Sequence, residues 1–244
     1  MKKSVSPSSS TLRSVSIVIP VFNEANTIES LIKTVQASDT LGLTKEIVVV
    51  NDASTDTTGQ VLQKVKGIKV LTHPNNLGKG AAIKTGFSKA SGDIVLIQDA
   101  DLEYSPADFP KLLEPFFSFN ADAVIGTRFR GDSARRVIYY THQLANNVLT
   151  MYSNLLTNFN LTDMECGYKA FRKSVIKELT PKLVSQRFGI EPELVARLAK
   201  IKGIKLYEVG IRYQGRTYEE GKKIGVIDGI KALYEITVYN LFTE

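Results

Sequence analysis

The chain has 244 residues, of which 43% are hydrophobic and 23% are charged, and this composition is typical of a globular protein. Its single cysteine, Cys166, excludes an internal disulfide and a zinc site built from cysteines. The net charge of +6 allows an anionic partner, but the chain carries no motif typical of RNA- or DNA-binding proteins, so we expect no nucleic-acid partner.

The N-terminal stretch MKKSVSPSSSTLRS is rich in serine and lacks the apolar segment of a signal peptide. We therefore predict a disordered tail over residues 1–14 and a single domain over residues 15–244. No run approaches the roughly 20 apolar residues that a membrane-spanning helix needs. We expect a protein that is soluble or, at most, peripheral to a membrane.

Between residue 15 and about residue 130, apolar runs alternate with segments of helical spacing. The apolar runs predict strands in VSIVIPVFNE, KEIVVVNDAS, IKVLTHP, DIVLIQDAD and ADAVIGTRF. The intervening segments predict helices in NTIESLIKTV, DTTGQVLQKV, KGAAIKTGFSKA and PADFPKLLEPFF. Because continuous Val/Ile runs indicate strands covered on both faces, this alternation predicts a Rossmann-like α/β fold with a mostly parallel central sheet flanked by helices.

The second part of the chain has a different pattern. We predict a long helix over residues 136–158, a helix over 191–203, a strand over 204–215 and a C-terminal helix over 225–242. The first and last of these helices carry aromatic and apolar residues that indicate amphipathic surfaces. No linker separates this part from the first.

Acidic and amide side chains follow three of the predicted strands. They are Asn23 and Glu24 after the first strand, Asp52 after the second, and Asp99 and Asp101 after the fourth. In parallel sheets ligands bind outside the carboxyl ends of the strands. These side chains are therefore predicted to share one edge of the sheet and to form a binding site.

The pair formed by Asp99 and Asp101 indicates a cation site. Side chains two positions apart on a strand point the same way, so the two carboxylates are expected to face one spot. Such a pair is stabilised by a divalent cation with phosphate on its far side. Taken alone, the pair is also compatible with an ordinary solvated turn.

No standard nucleotide-binding loop is present in the chain. The Walker A pattern would require glycine at His73, and no G-x-G-x-x-G follows the first strand. Gly78, Lys79 and Gly80 nevertheless open a predicted helix, whose N-terminus is a possible anion site or an ordinary turn. We interpret His73 as structural, because it has no partner pattern.

Several arginine and lysine residues follow the fifth predicted strand. Arginine binds phosphate through paired donors, although any single basic residue is more often a solvated surface charge. The basic residues that could bind an anion are Arg128, Arg136, Arg216 and Lys222, whereas Arg135 and Lys223 are better explained as surface charges.

Together these segments resemble the inverting family 2 glycosyltransferases, which have the GT-A fold. The matching segments are SIVIPVFNEANTIESLI, EIVVVNDASTD, NNLGKGAAIKTG, GDIVLIQDADLE and AVIGTRF. The later segments DMECGYKAFRKSVI and FGIEPELVARLAK are similar to dolichyl-phosphate glucosyltransferases and dolichol-phosphate mannose synthases. The resemblance implies a nucleotide-sugar-binding half over residues 15–130 and an acceptor-binding half over 131–244.

The resemblance also assigns roles to individual residues. The implied donor-binding set consists of Pro20, Asn23, Glu24, Asp52, Lys79, Asp99 and Ala100. Asn23, Glu24 and Asp52 would hold the base and ribose of the nucleotide. Lys79 would orient the nucleotide, and Asp99 would lie near the ribose and pyrophosphate. Asp101, with Asp99, would bind the Mg²⁺ or Mn²⁺ that bridges the diphosphate. The implied catalytic residues are Asp101, Arg128 and Asp163, and the residues that would receive the acceptor phosphate are Arg128, Arg136, Arg216 and Lys222. Asp163 and Glu193 match acidic positions of the branch, whose individual roles the resemblance does not assign.

The expected reaction moves a hexose from a nucleotide sugar to a polyprenyl phosphate. A phosphate monoester has a second pKa of about 6, so it needs no general base at neutral pH. The donor is expected to be UDP-glucose, with GDP-mannose or a UDP-N-acetylhexosamine as alternatives. The other readings are transfer to a sugar or glycan hydroxyl, with Asp163 as the base, and a non-catalytic nucleotide-sugar-binding subunit. A lipid acceptor implies a location on the cytoplasmic membrane face, through peripheral contact or a membrane-protein partner.

Overall fold

The computed structural model describes residues 12–131, 136, 137, 139–215 and 226–243, with only the backbone for residues 226–228. Most of the predicted tail, residues 1–11, lies outside this part of the chain. The described structure begins just before the first strand, where the backbone N–H of Arg13 donates to Asp93 Oδ2 at 2.8 Å.

Seven strands and eight α-helices make up the described part of the chain. The strands are β1 Ser14–Val21, β2 Thr44–Asn51, β3 Lys69–Thr72, β4 Ile94–Ile97, β5 Ala123–Thr127, β6 Lys169–Arg172 and β7 Leu206–Gly210. The helices are α1 Ile28–Ala37, α2 Thr58–Lys64, α3 Lys79–Lys89, α4 Phe109–Ser118, α5 Tyr140–Thr157, α6 Lys173–Leu179, α7 Ile190–Ala199 and α8 Val226–Leu241. Short 3₁₀ turns precede α4 and follow α6.

The strands form one sheet in the order β3-β2-β1-β4-β6-β5-β7. All neighbouring pairs are parallel except those of β6, which runs antiparallel to both β4 and β5. The mostly parallel sheet predicted from the sequence is thus confirmed. Strand β6 was missed, because its four residues, KAFR, begin and end with a charged residue and contain no Val/Ile run.

Helices cover both faces of the sheet. In β1, Ile17 and Ile19 face a core cluster that also contains residues of α1, α2 and α4. Val18, between them, faces a second cluster with residues of α3, α6, α7 and α8. This alternation explains why the strands read as continuous apolar runs, since both sets of side chains are buried.

Several predicted boundaries differ from the structure, among them the end of the helix predicted over 191–203, which ends at Ala199. Helix α5 begins at Tyr140 rather than at residue 136, and it ends where Asn158 adopts a left-handed conformation with φ of 59°. The last strand, predicted to reach residue 215, ends at Gly210. After this strand, the buried Asp108 holds Arg212 in place. Its carboxylate accepts hydrogen bonds from the backbone N–H and from Nε of Arg212, at 2.7 and 3.0 Å. In the described helices, no segment is both long and apolar enough to cross a membrane.

Candidate active site

The loops after β1, β2 and β4 meet at one edge of the sheet, as predicted. The N–H of Asp52 donates to the carbonyl of Val21, and the N–H of Gln98 donates to the carbonyl of Val18, each at 2.9 Å. Because the three strands are adjacent and parallel, the residues that follow them emerge at the same edge.

The loop after β1 is tied to the loop after β2. Asn23 adopts a φ of 55°, and its Oδ1 accepts a hydrogen bond from the N–H of Thr55 at 2.8 Å. The carboxylate of Glu24 accepts one from the hydroxyl of Thr27 at 2.7 Å. Pro20 is buried within β1, opposite Val50 of β2. These contacts build the edge of the site, and the nucleoside-binding roles of the three residues stay predictions.

Asp52 organises the loop that leads into α3. Its carboxylate is buried and accepts hydrogen bonds from the N–H groups of Leu77 and Gly78, at 2.9 and 2.7 Å. The Nδ1 atom of His73 lies 2.7 Å from its Oδ1, and the other ring nitrogen of His73 contacts Thr85. His73 therefore has a structural partner that no sequence pattern indicated, and a contact between Asp52 and the nucleoside stays a prediction.

Gly78 and Gly80 permit close packing at the start of α3. A Cβ atom on Gly78 would collide with the carbonyl oxygen of Gln186, and one on Gly80 with that of Ser185. Two backbone donors here are already used, because the N–H of Gly78 binds Asp52 and the N–H of Ala81 binds Gln186. The glycines thus have a packing reason, and part of the predicted anion site is occupied by protein.

A chain of alternating charges runs through the centre of the site. Lys79 Nζ lies 2.7 Å from Asp99 and 3.2 Å from Glu191, and Glu191 also pairs with the fully buried Lys169. Burial lowers the pKa of Lys79, but the charges of Asp99 and Glu191 outweigh this and hold the pKa above its usual value. Sequence reasoning missed Glu191 and Lys169, because β6, which carries Lys169, was not predicted, and the helix predicted from residue 191 gave no indication of a partner for Glu191.

Asp99 and Asp101 lie close together, but in a turn rather than on a strand. Strand β4 ends at Ile97, so the alternation argument for this pair was wrong in its geometry. Asp101 Oδ1 accepts a hydrogen bond from the N–H of Glu103 at 3.1 Å. Burial, together with the charges of Asp99 and Glu103, raises the pKa of Asp101 to about 7. The site therefore favours either a proton or a cation at this carboxylate.

The donor set of Asp99 and Asp101 fits a magnesium-type ion only in part. Among the described residues, no group of three or more acidic, histidine or cysteine side chains is arranged to hold a metal. Mg²⁺ is commonly bound by one or two carboxylates, with phosphates of the substrate and water completing the octahedron. The pair is thus suited to an ion that arrives with a diphosphate, and not to a resident protein-bound metal.

Arg128, which directly follows β5, is held by Asp163. The fully buried Asp163 accepts hydrogen bonds from the backbone N–H, Nε and Nη2 of Arg128, at 2.9, 2.7 and 2.7 Å. Nη2 also donates to Asn146 of α5 at 3.0 Å. The arginine side chain is 17% exposed. A guanidinium fixed in this way is prepared to bind an anion at its exposed edge.

The remaining predicted basic and acidic residues are less central. Arg136 is exposed and donates to the carbonyl of Gly215 at 3.0 Å. Arg216 and Lys222 lie outside the described residues. Glu193 is fully buried and binds the N–H of Ser185 at 2.7 Å and Nη2 of Arg197 at 3.1 Å, so its role in this structure is to fix the loop before α7.

Aromatic side chains form a wall beside the acidic pair. Tyr104 stacks on Tyr168 with ring centroids 4.8 Å apart, and it lies 5.6 Å from the ring of Tyr213. The hydroxyl of Tyr168 donates to Gln98 at 2.6 Å. Ala100 is buried and belongs to the same core cluster as these three tyrosines. The wall was not predicted, because its members come from three distant parts of the chain.

Comparison with known proteins identifies the family of the chain. The model of the Glycosyl transferase family 2 domain matches residues 16–180. The UDP-N-acetylglucosamine--dolichyl-phosphate N-acetylglucosaminyltransferase of Methanococcus voltae is 25% identical over 92% of this chain and 95% of its own. The undecaprenyl-phosphate 4-deoxy-4-formamido-L-arabinose transferase of Edwardsiella ictaluri is 29% identical over 93% of this chain and 67% of its own.

A solved structure confirms the fold. Glucosyl-3-phosphoglycerate synthase from Mycobacterium tuberculosis, crystallised with Mn²⁺, UDP and phosphoglyceric acid, superposes with a TM-score of 0.72. The match covers 95% of this chain and 80% of that one, at 20% identity. The predicted GT-A fold is thereby confirmed, and so is the resemblance to family 2 enzymes that transfer sugars to polyprenyl phosphates. The chain belongs to glycosyl transferase family 2 and is a glycosyltransferase.

Proposed function

We propose that this glycosyltransferase moves a hexose from a nucleotide sugar, with UDP-glucose the favoured donor, to a polyprenyl phosphate, with inversion and with a divalent metal. The observation that carries the proposal is that two groups of opposite charge lie at the same edge of the sheet. One is the acidic pair Asp99 and Asp101, and the other is the fixed guanidinium of Arg128. An anionic leaving group and an anionic acceptor need these two environments.

The donor diphosphate belongs at the acidic pair. A bound Mg²⁺ or Mn²⁺ would supply charge stabilisation for the leaving diphosphate as its bond to the sugar breaks. Asp101 and Asp99 are the residues that would hold the ion, and Lys79, paired with Asp99, adds a positive charge beside them. Support comes from the Mycobacterium tuberculosis synthase, whose structure contains Mn²⁺ and UDP.

The acceptor phosphate belongs at Arg128. Because a phosphate monoester is largely a dianion at neutral pH, it attacks without a general base. Asp163 is fully buried and has both oxygens bonded to Arg128, so we propose that it positions the guanidinium instead of accepting a proton. This replaces the catalytic role expected for Asp163 from the sequence. The names of the two relatives, which act on dolichyl and undecaprenyl phosphates, support this acceptor class.

Peripheral membrane contact would bring the protein to such an acceptor. Helix α5 contains no charged residue in its 18 positions, and Tyr140 and Leu155 are 76% and 77% exposed. Helix α8 lies beside it, since the hydroxyls of Tyr152 and Thr237 are 2.9 Å apart, and it also exposes apolar side chains. The surface of α5, without acidic or basic residues and with exposed apolar side chains, favours the interfacial region of a bilayer, and the exposed Lys231 of α8 could contact anionic headgroups beside it. The inner face of α5 carries Asn146, which contacts Arg128, so one helix would link the membrane to the acceptor site.

The deciding experiment measures release of nucleoside diphosphate from UDP- and GDP-sugars, with Mg²⁺ or Mn²⁺, in the presence and absence of undecaprenyl phosphate. We expect release to depend on the lipid phosphate and the labelled sugar to pass into the organic phase. Arg128→Ala should raise the Michaelis constant for the lipid phosphate or lower turnover. Glu178→Gln, an exposed residue of α6 paired with Lys182, serves as the control and should change neither.

Two results would contradict the proposal. Release that ignores the lipid but rises with a soluble glycan would move the acceptor to a hydroxyl group. Donor binding without release under any acceptor would favour the non-catalytic alternative. The same panel of donors identifies the sugar.

A further inference from the structure

Residues 163–168, the last part of the loop between α5 and β6, join the two halves of the site. At its start, Asp163 binds the side chain of Arg128. Near its end, Gly167 lies so close to Asp99 that a Cβ atom at this position would collide with the Asp99 carboxylate. The loop therefore runs from the acceptor-side cation to the acidic pair, past the region where a transferred group must lie.

This loop is held rigidly from its inner side. The buried amino group of Lys169 donates to the carbonyl oxygens of Met164, at 3.2 Å, and Cys166, and pairs with Glu191. The side chains of Met164 and Cys166 are fully buried in the two core clusters. Glu165, between them, is the partly exposed member of this stretch and is carried on a fixed backbone. A site built on such a rigid element can position a ligand precisely.

Glu165 has a hydrogen-bonding capacity that the protein does not use. Its Oε1 atom is buried, and within the described part of the chain it has no hydrogen-bond partner. The charged groups that act on it are the cations Arg128 and Lys169 and the carboxylates Asp163 and Glu191. Buried polar atoms in folded proteins nearly always have a hydrogen-bond partner. A buried oxygen without one, beside a binding site, therefore indicates that a bound ligand donates a hydrogen bond to it.

The chemistry of the substrates indicates which of their groups donates this hydrogen bond to Glu165. The inference rests on the proposed function, which brings a nucleoside, a diphosphate, a sugar and a lipid phosphate to the site. When it is ionised, the Glu165 carboxyl group repels the two phosphate groups, and it has nothing to bind on an apolar lipid chain. The ribose is expected at the ends of β1 and β2 and near Asp99, whereas the charges that act on Glu165 include those of Arg128 and Asp163. The divalent ion of the proposed function is assigned to Asp99 and Asp101. The hydroxyls of the transferred sugar are the group that remains.

We propose that Glu165 accepts a hydrogen bond from a hydroxyl group of the donor sugar and so contributes to the choice of sugar. A site that hydrogen-bonds a substrate hydroxyl discriminates strongly against analogues that lack it, because its own polar group is then left unpaired. Glu165 thus becomes a specificity-determining residue of the transfer reaction.

The test compares binding of a nucleotide sugar with binding of the corresponding nucleoside diphosphate, by calorimetry in the presence of Mg²⁺. The probes are UDP-glucose, UDP-N-acetylglucosamine and GDP-mannose, each paired with UDP or GDP. For the donor that wild-type protein binds most tightly, Glu165→Ala should weaken nucleotide-sugar binding about tenfold, the typical cost of one charged hydrogen bond. Binding of the nucleoside diphosphate should stay within about twofold.

Two further variants make the result interpretable. Glu165→Gln keeps the shape and one acceptor oxygen, so it should fall between wild type and Glu165→Ala, and it serves alone if the alanine variant does not fold. Glu178→Ala on α6 removes a carboxylate from an exposed position and should behave as wild type.

The possible outcomes separate this inference from the proposed function. Equal nucleotide-sugar affinity in wild type and both Glu165 variants would refute the inference alone. An equal loss of affinity for nucleotide sugar and nucleoside diphosphate would also refute it, by showing a purely structural role. Wild-type protein that binds no nucleotide sugar at all would refute the proposed function, and the inference with it.

Discussion

Replacing Asp163 by alanine is expected to destabilise the protein strongly, because it leaves a guanidinium without its counterion. Arg128 donates three hydrogen bonds to this fully buried carboxylate, at 2.7, 2.7 and 2.9 Å. Removing one partner of a buried ion pair costs about 3–5 kcal/mol. Because Arg128 is 17% exposed and keeps its contact with Asn146, we expect a loss near the lower end, about 3 kcal/mol.

The loss is measured by urea unfolding followed by circular dichroism, together with the melting temperature. For a domain of this size, about 3 kcal/mol corresponds to a melting temperature lower by roughly 6–12 °C. Glu178→Gln, whose 3.6 Å pair with Lys182 is exposed, is the matched control and should change stability by less than about 0.5 kcal/mol.

A double-mutant cycle tests the coupling directly. If Asp163 acts through Arg128, the double variant Arg128→Ala/Asp163→Ala should be less destabilised than the sum of the single variants, and each should lose lipid-phosphate-dependent turnover. A stability change below about 1 kcal/mol for Asp163→Ala, or strict additivity in the cycle, would refute the reasoning.

Three further predictions concern the acidic pair, the loop before β6 and the apolar helix surface. Titration calorimetry should show weak Mg²⁺ binding to the protein alone and much tighter binding with UDP present, and Asp101→Asn should abolish that enhancement; equal binding with and without UDP would contradict the two-carboxylate geometry. Burial and the charge of Glu191 raise the pKa of Glu165 to about 7 from its usual 4.5. Between pH 4.5 and about 7, the folded protein therefore keeps a proton on Glu165 that the unfolded chain has released. The free energy of unfolding of the wild type should therefore fall relative to that of Glu165→Gln, by about 1–2 kcal/mol after allowance for partial exposure, as the pH rises from about 4.5 to 7, and should then level off. Urea unfolding across this pH range measures the difference. A difference that does not change with pH would be inconsistent with the raised pKa. Leu155→Glu on α5 should reduce co-sedimentation with anionic lipid vesicles several-fold, whereas Phe117→Glu, equally apolar but on α4 at the opposite face of the sheet, should not, and equal effects would exclude α5 as the contact surface.

The class of the fold and the position of the candidate site could be predicted from local sequence patterns. Continuous Val/Ile runs separated by helical segments can be satisfied only by strands buried on both faces, and β1, with Ile17 and Val18 in different clusters, shows this directly. Because parallel strands end at one edge, Asp52 and Asp99 could be placed together without knowledge of the strand order. Local periodicity and strand polarity are short-range properties, and a single sequence contains them.

The partners of these residues could be identified only in the folded structure. The sequence offers no signal that Asp52 is bonded to His73, that Asp163 holds Arg128, or that Lys169 pairs with Glu191, since each pair is at least 21 residues apart. Strand β6 was missed for the same reason, because a short strand with buried Lys169 is stable only through its antiparallel neighbours and its ion pair. Electrostatic pairing acts through space, and the chain must fold before its consequences for the site become visible.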